Sequence, residues 1–490
     1  MRLPRALAVA TTAALALVAC TGDPAPSGQS PAPTPSTAAP TSLPPVTRTP
    51  TTPPTTPPTT PNACPATYAA PDPRRPVVTL SVSLKAGASG FTGRERVVFT
   101  PDLRIDRIVY RLWPNGARGA AAGSRLTVTA ARVEGRPVTP QLSSAGTLLT
   151  LLLPTEVPAG NAVTSELDFD LRLPQGVSDR YGHRGDTAWM GTGHPVLAWE
   201  RGVGWAVDPS TAAFAEATSS EVFRLADLSV EVPAALTVLA TGVTGRVDNV
   251  GARRRHHFTG EAVRDVMVAV GRFRVATGRS AAGVPIRVGV APGLPDSPAT
   301  RVAQHVEAMR VHSARFGPFP YPDLDVAVLP DIRGGIEYPG AIMLGSGQAD
   351  ATLSHEVAHE WFYGLVGDNQ ARDPWLDEGF ATYAEALHRG TGPNYLATPI
   401  APEGRNRVGA PMTYWERRQS IYFRSVYVQG AAALLRARSR SGPAAFDRAI
   451  RCYVTANAHR IARPPDLVAA LQGLPAALTE LRRHGALARP

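Results

Sequence analysis

His355, Glu356 and His359 spell H-E-x-x-H within five residues. In a helix, positions i and i+4 share one face, so both imidazoles can grip a single cation. Glu356 stands beside them, able to reach a metal-bound water without being a ligand. The stretch Ala351 to Val366 has no proline and predicts the helix they need. A catalytic zinc takes three protein ligands and keeps one position open. Glu378 follows His359 with eighteen residues between, inside Trp375-Leu376-Asp377-Glu378-Gly379-Phe380-Ala381. That run opens a second helix after Asp373-Pro374, so the chain can leave one helix, turn, and return a carboxylate. Taken singly, each residue has a plain structural role: a packed core histidine, or an acid beside a helix start. Together they read as a two-histidine, one-glutamate set for one Zn2+ per chain, with Glu356 as the base of a hydrolysis.

Two regions of different texture must position these residues. From about Val77 to Val275 the chain reads as strands, as in Glu166-Leu167-Asp168-Phe169-Asp170-Leu171-Arg172-Leu173, where charge alternates with hydrophobe. Residues 66–276 are expected to form an all-β domain, and residues 277–490 the catalytic domain. In the latter, Val284 to Val290 and Val326 to Leu329 read as strands. Ala299–Phe316, Ile421–Arg438 and Pro443–His459 read as helices. The whole is an α+β multidomain chain.

The 490 residues are 43% hydrophobic with a formal charge of +10, which excludes a wholly disordered or fibrous chain. Arg2 and Arg5 precede an apolar run from Ala6 to Ala19, too short to span a bilayer and typical of a signal peptide over residues 1–19. Leu17-Val18-Ala19-Cys20 resembles a bacterial lipobox, which implies lipidation of Cys20 and an extracytoplasmic protein anchored to the bacterial cell membrane. From Pro31 to Pro61, 12 prolines and 11 threonines fill 31 positions, so residues 20–65 are expected to form an extended linker. No nucleic-acid motif is present, and export argues against that use of the charge. Cys64 and Cys452 could pair in an oxidising compartment, but sequence alone does not bring them together.

The H-E-x-x-H, the eighteen-residue interval and W-L-x-E-G-F-A together resemble the gluzincin aminopeptidases, the family of alanyl aminopeptidases and leukotriene hydrolase. Gly334-Gly335-Ile336-Glu337-Tyr338 resembles that family's G-x-M-E-N exopeptidase loop. Tyr427-Val428-Gln429-Gly430 resembles its Y-E-K-G motif, with Tyr422 where a second tyrosine often stands. Ile336 and Tyr338 depart from Met and Asn, and Val428 and Gln429 from Glu and Lys. The resemblance implies an N-terminal antiparallel β-sandwich, saddle-like, followed by a thermolysin-like, mainly helical zinc peptidase domain; the large C-terminal helical-repeat domain that family members often carry is not expected, for the sequence has no length left for it. It also implies roles. Glu337, with Gly334 and Gly335, would hold the free α-amine of a peptide, and Tyr427 would donate to the tetrahedral oxyanion. Glu385, seven residues after Glu378, is a candidate for orienting a ligand histidine, or else a solvated helix charge.

Peptides are thus the expected substrates and aminopeptidase action the leading expectation. An endopeptidase or other hydrolase of the same fold remains open, as does a non-catalytic lipoprotein that binds peptide or wall material. Oligomeric state and the preferred N-terminal residue are not readable from the chain.

Overall fold

The computed structural model describes residues 64–176, 180–213 and 221–488. The expected signal peptide, Cys20 and the Pro/Thr-rich run lie outside the described residues. None of the described helices is long and apolar enough to cross a membrane.

The N-terminal half folds as the alternation predicts. Val163–Arg172 turns Leu167, Phe169 and Leu171 inward and its acids outward, because successive strand side chains face opposite sides. It belongs to an eight-stranded sheet that runs from Val243–Val250 through Val77–Leu84 to Arg136–Pro137. Four-stranded sheets pack with it around a core that includes Leu80, Phe91, Phe99 and Phe258. The N-terminal half is the expected antiparallel β domain, with one parallel ladder in its large sheet. Val77–Leu84 pairs in parallel with Phe223–Pro233, since the chain returns to that sheet only after building the smaller ones.

The boundary expected at residues 276 and 277 falls inside a strand. Arg274–Arg279 pairs with Pro285–Val290 and so belongs to the catalytic half. The sheet there has five strands, continuing through Leu324–Leu329 and Ala341–Gly345 to Gly335–Tyr338 at one edge. Helices Pro298–Phe316 and Trp375–Arg389 follow the sequence pattern, and Asp350–Ala358 is the helix that carries His355.

One helix expectation is corrected. The helix carrying His355 ends at Ala358, with His359 as its cap, and does not continue to Val366. Gly364 bonds back to the His359 carbonyl at 2.9 Å and Tyr363 takes φ 105°, so the chain reverses there. The helix expected over Ile421–Arg438 forms, with a change of winding inside it. Gln419–Phe423 is α-helical, Arg424–Val428 forms a π-turn, and Gln429–Ser441 resumes the α-helix. Single π-turns inside helices recur at functional positions, and this one carries Tyr427.

Cys64 and Cys452 form a disulfide, with Cα atoms 4.9 Å apart. The end of the expected linker is therefore part of the folded body. Tyr68 extends that attachment, donating its hydroxyl to the Pro318 carbonyl at 2.5 Å and accepting from the Trp361 indole at 3.1 Å.

Candidate active site

The early helix stop and the second helix bring three side chains to one point. His355 Nε2 lies 3.0 Å from His359 Nε2 and 3.1 Å from Glu378 Oε2. His359 Nε2 lies 3.4 Å from the same oxygen.

What stands behind the two rings fixes their tautomers. Glu385 Oε2 is 3.5 Å from His355 Nδ1, and Glu385 is itself held by the Tyr395 hydroxyl at 2.6 Å. Asp377 pairs with His359 Nδ1, and its other oxygen accepts from the Gln370 amide at 2.7 Å. The Phe362 carbonyl, freed by the chain reversal, also lies 3.1 Å from His359 Nδ1. With each Nδ1 facing acceptors, the Nε2 lone pairs converge. Two imidazole lone pairs and a carboxylate oxygen meeting at these distances suit a divalent cation of intermediate softness, so the residues fit a metal.

Burial pulls His355 down, but hydrogen bonds to Glu378 and Glu385 leave it at about 10. Burial raises Glu378, yet its hydrogen bonds to both histidines hold it far below the usual carboxylate range. Metal binding would displace protons from these imidazoles.

Glu356 projects from the same helix and is buried. Burial pushes its carboxyl up to about 8, with the two imidazoles pulling the other way. Its carboxylate fits only because residue 335 is glycine: a Cβ there would lie 2.4 Å from the Glu356 carboxyl carbon. Gly335 begins the edge strand Gly335–Tyr338, and Gly334 just before it accepts from the Gly345 amide at 2.9 Å. Glu337, on this strand, is buried with Oε1 lacking a hydrogen-bond partner. It sits within 4.8 Å of donor atoms on His359 and Asp377.

Tyr427 approaches from the other helix pair. Its hydroxyl donates to Glu378 Oε1 at 2.5 Å, and its ring stacks on His355 at 5.8 Å between centroids. The approach depends on two glycines where the helices cross: a Cβ on Gly430 would lie 3.0 Å from the Gly379 Cα. Tyr422 packs edge-on to Tyr427 at 5.8 Å.

The departures from the family motifs have local reasons. Gln429 ties down a loop, donating to the Gly404 carbonyl at 2.8 Å and accepting from the Asn406 amide at 2.9 Å. Tyr338 is fully buried with its hydroxyl against Gly191, where a Cβ would come within 1.8 Å of it. Nothing in the structure explains Ile336 in place of Met.

Every sequence-expected site residue from Gly334 to Tyr427 therefore lies in one cluster. Asp377 was missed. It adjoins Glu378 in W-L-D-E-G and reads as a helix-start charge until the fold sets it against His359.

No protein-family model matches the chain. It is 25% identical over 248 residues to Aminopeptidase M1 of Arabidopsis thaliana, covering 42% of this chain and 27% of that relative. It is 30% identical over 142 residues to Aminopeptidase N of Streptomyces lividans, covering 25% of this chain and 16% of that relative. The matched regions thus span about a quarter or less of these curated relatives. Among solved structures, an M1 zinc metallopeptidase from Deinococcus radiodurans superposes with a TM-score of 0.64 at 22% identity, over 85% of this chain and 94% of that one. A mutant of that protein bound to a Tyr-Ser-Ala substrate gives 0.65 at 21% identity, over the same shares. A two-domain M1 zinc metallopeptidase mutant bound to L-arginine also gives 0.65, at 22% identity, over 87% and 96%. The chain has the two-domain M1 metallopeptidase fold.

Proposed function

We propose that this chain is a zinc aminopeptidase that removes N-terminal residues from peptides. The observation that carries the reading is the convergence of His355, His359 and Glu378 beside Glu356, with Glu337 on the adjoining edge strand. The Aminopeptidase M1 and Aminopeptidase N likenesses support the activity class, and the Tyr-Ser-Ala complex of the structural neighbour supports peptides as substrates.

His355, His359 and Glu378 would hold the zinc, which when bound acidifies a water and polarises a carbonyl. Glu356 takes a proton from the attacking water and hands it to the departing amine. Tyr427 offers its hydroxyl to the negative charge that develops on the carbonyl oxygen. Glu337 binds the α-ammonium and so fixes which peptide bond reaches the site. The open side of the edge strand can pair with an extended substrate backbone.

A lipobox-like Cys20 ahead of a Pro/Thr-rich stretch supports an extracytoplasmic, membrane-tethered enzyme. Fatty-acid labelling that persists in a Cys20→Ser variant would remove the tether.

The test of the activity is hydrolysis of aminoacyl reporters by the soluble domain, with and without chelator. Chelator-sensitive cleavage is expected, restored by Zn2+ and abolished in Glu356→Ala with the metal retained. No cleavage of any free-amine reporter by the zinc-loaded protein would overturn it.

A further inference from the structure

One side chain beside the site is out of place for a soluble surface. Among the described residues, Phe423 is the aromatic member of the exposed large hydrophobics, at 38% exposure. It ends the helix Gln419–Phe423, four positions before Tyr427, and its ring lies 4.8 Å from the Tyr427 ring with planes tilted by 35°. Its neighbour Tyr422 is fully buried against Trp415 and supplies that helix's share of the core. Phe423 keeps more than a third of its surface open beside the residue whose hydroxyl rests on Glu378.

The ligand cluster has two flanks. Glu337 lies on the flank of His359, within 4.8 Å of its donor atoms and those of Asp377. Tyr427, and Phe423 with it, lies on the flank of His355. A peptide whose α-amine is held at Glu337 and whose first carbonyl meets the ligand cluster carries its second residue beyond that cluster, since an extended chain advances about 3.3 Å per residue.

We propose that Phe423 is a specificity-determining residue that receives the side chain of the second residue of the peptide, and that the preferred substrates carry a large apolar or aromatic residue there. The proposal rests on the aminopeptidase reading. An exposed ring beside a stacked tyrosine gains contact when an apolar side chain covers it, and aromatic partners add to that gain.

The experiment uses the zinc-loaded protein and a dipeptide series with one first residue, chosen by turnover, followed by Gly, Ser, Leu or Phe. The wild type is expected to show kcat/KM at least about tenfold higher for Leu and Phe than for Gly and Ser, carried mainly in KM. Phe423→Ala is expected to shrink that ratio to about twofold, and Phe423→Tyr to keep it. A wild type that treats the four alike, or a Phe423→Ala variant that keeps the full ratio, overturns the proposal while leaving aminopeptidase action standing. A wild type that cleaves aminoacyl reporters but none of the dipeptides also overturns it. Cleavage of neither overturns the activity as well.

Discussion

Gly335 and Glu356 share space so closely that a single added carbon on the first would lie 2.4 Å from the carboxyl carbon of the second. The edge strand and the metal helix are thus set against each other by the lack of a side chain, and the base keeps its position because nothing crowds it. Gly335→Ala should displace the Glu356 carboxylate and lower kcat/KM by about a hundredfold or more, the scale of a lost general base. Metal affinity should change little, because the atoms an added carbon meets first belong to Glu356 and not to a ligand. Near-normal turnover with bound zinc would show that the base tolerates the crowding.

The two carboxylates behind the histidines should tune metal retention. Asp377→Asn and Glu385→Gln are each expected to weaken zinc binding about 10- to 100-fold in chelator competition, as loss of such partners generally does. Asp377 is the more enclosed of the two, its second oxygen held by Gln370, so its loss should be the larger. Unchanged competition curves would reduce both acids to packing roles.

Glu337 should act on the amine and not on the bond broken. Glu337→Ala is expected to raise KM steeply for free-amine peptides and to affect N-blocked ones much less. A buried, unpartnered carboxylate oxygen is the structural basis for that selectivity. Equal losses on both substrate types would assign Glu337 to the fold.

Acid sensitivity of the fold has a defined contributor away from the metal cluster. Burial holds His305 down to about 4, against the opposing hydrogen bond to the Arg301 carbonyl. Between about pH 6.5 and 4 the unfolded chain takes up a proton there that the folded chain refuses, so stability falls as pH drops through that window. His305→Leu removes this term. The stability of wild type minus that of the variant, from urea unfolding, should fall by about 3 kcal/mol from pH 7 to pH 4. A flat difference would mean that the imidazole is not the group responsible.

What the sequence disclosed and what it withheld follow one physical division. Ligand spacing is local, so His355, Glu356, His359 and Glu378 could be read from helix periodicity and interval alone. The strand alternation of Val163–Arg172 was legible for the same reason. The stop at Ala358 was not, because it depends on Tyr363 adopting φ 105° with its hydroxyl 3.3 Å from Asp265 in the other half of the chain. Asp377 escaped notice since its partner is eighteen positions upstream and reached only through a turn. The parallel ladder between Val77–Leu84 and Phe223–Pro233 joins segments too far apart for any local pattern to announce.

The cross-link between Cys64 and Cys452 bypasses 388 positions of chain. Tension applied upstream of Cys64 therefore enters the body at the helix Pro443–Ala456 and need not travel through the eight-stranded sheet.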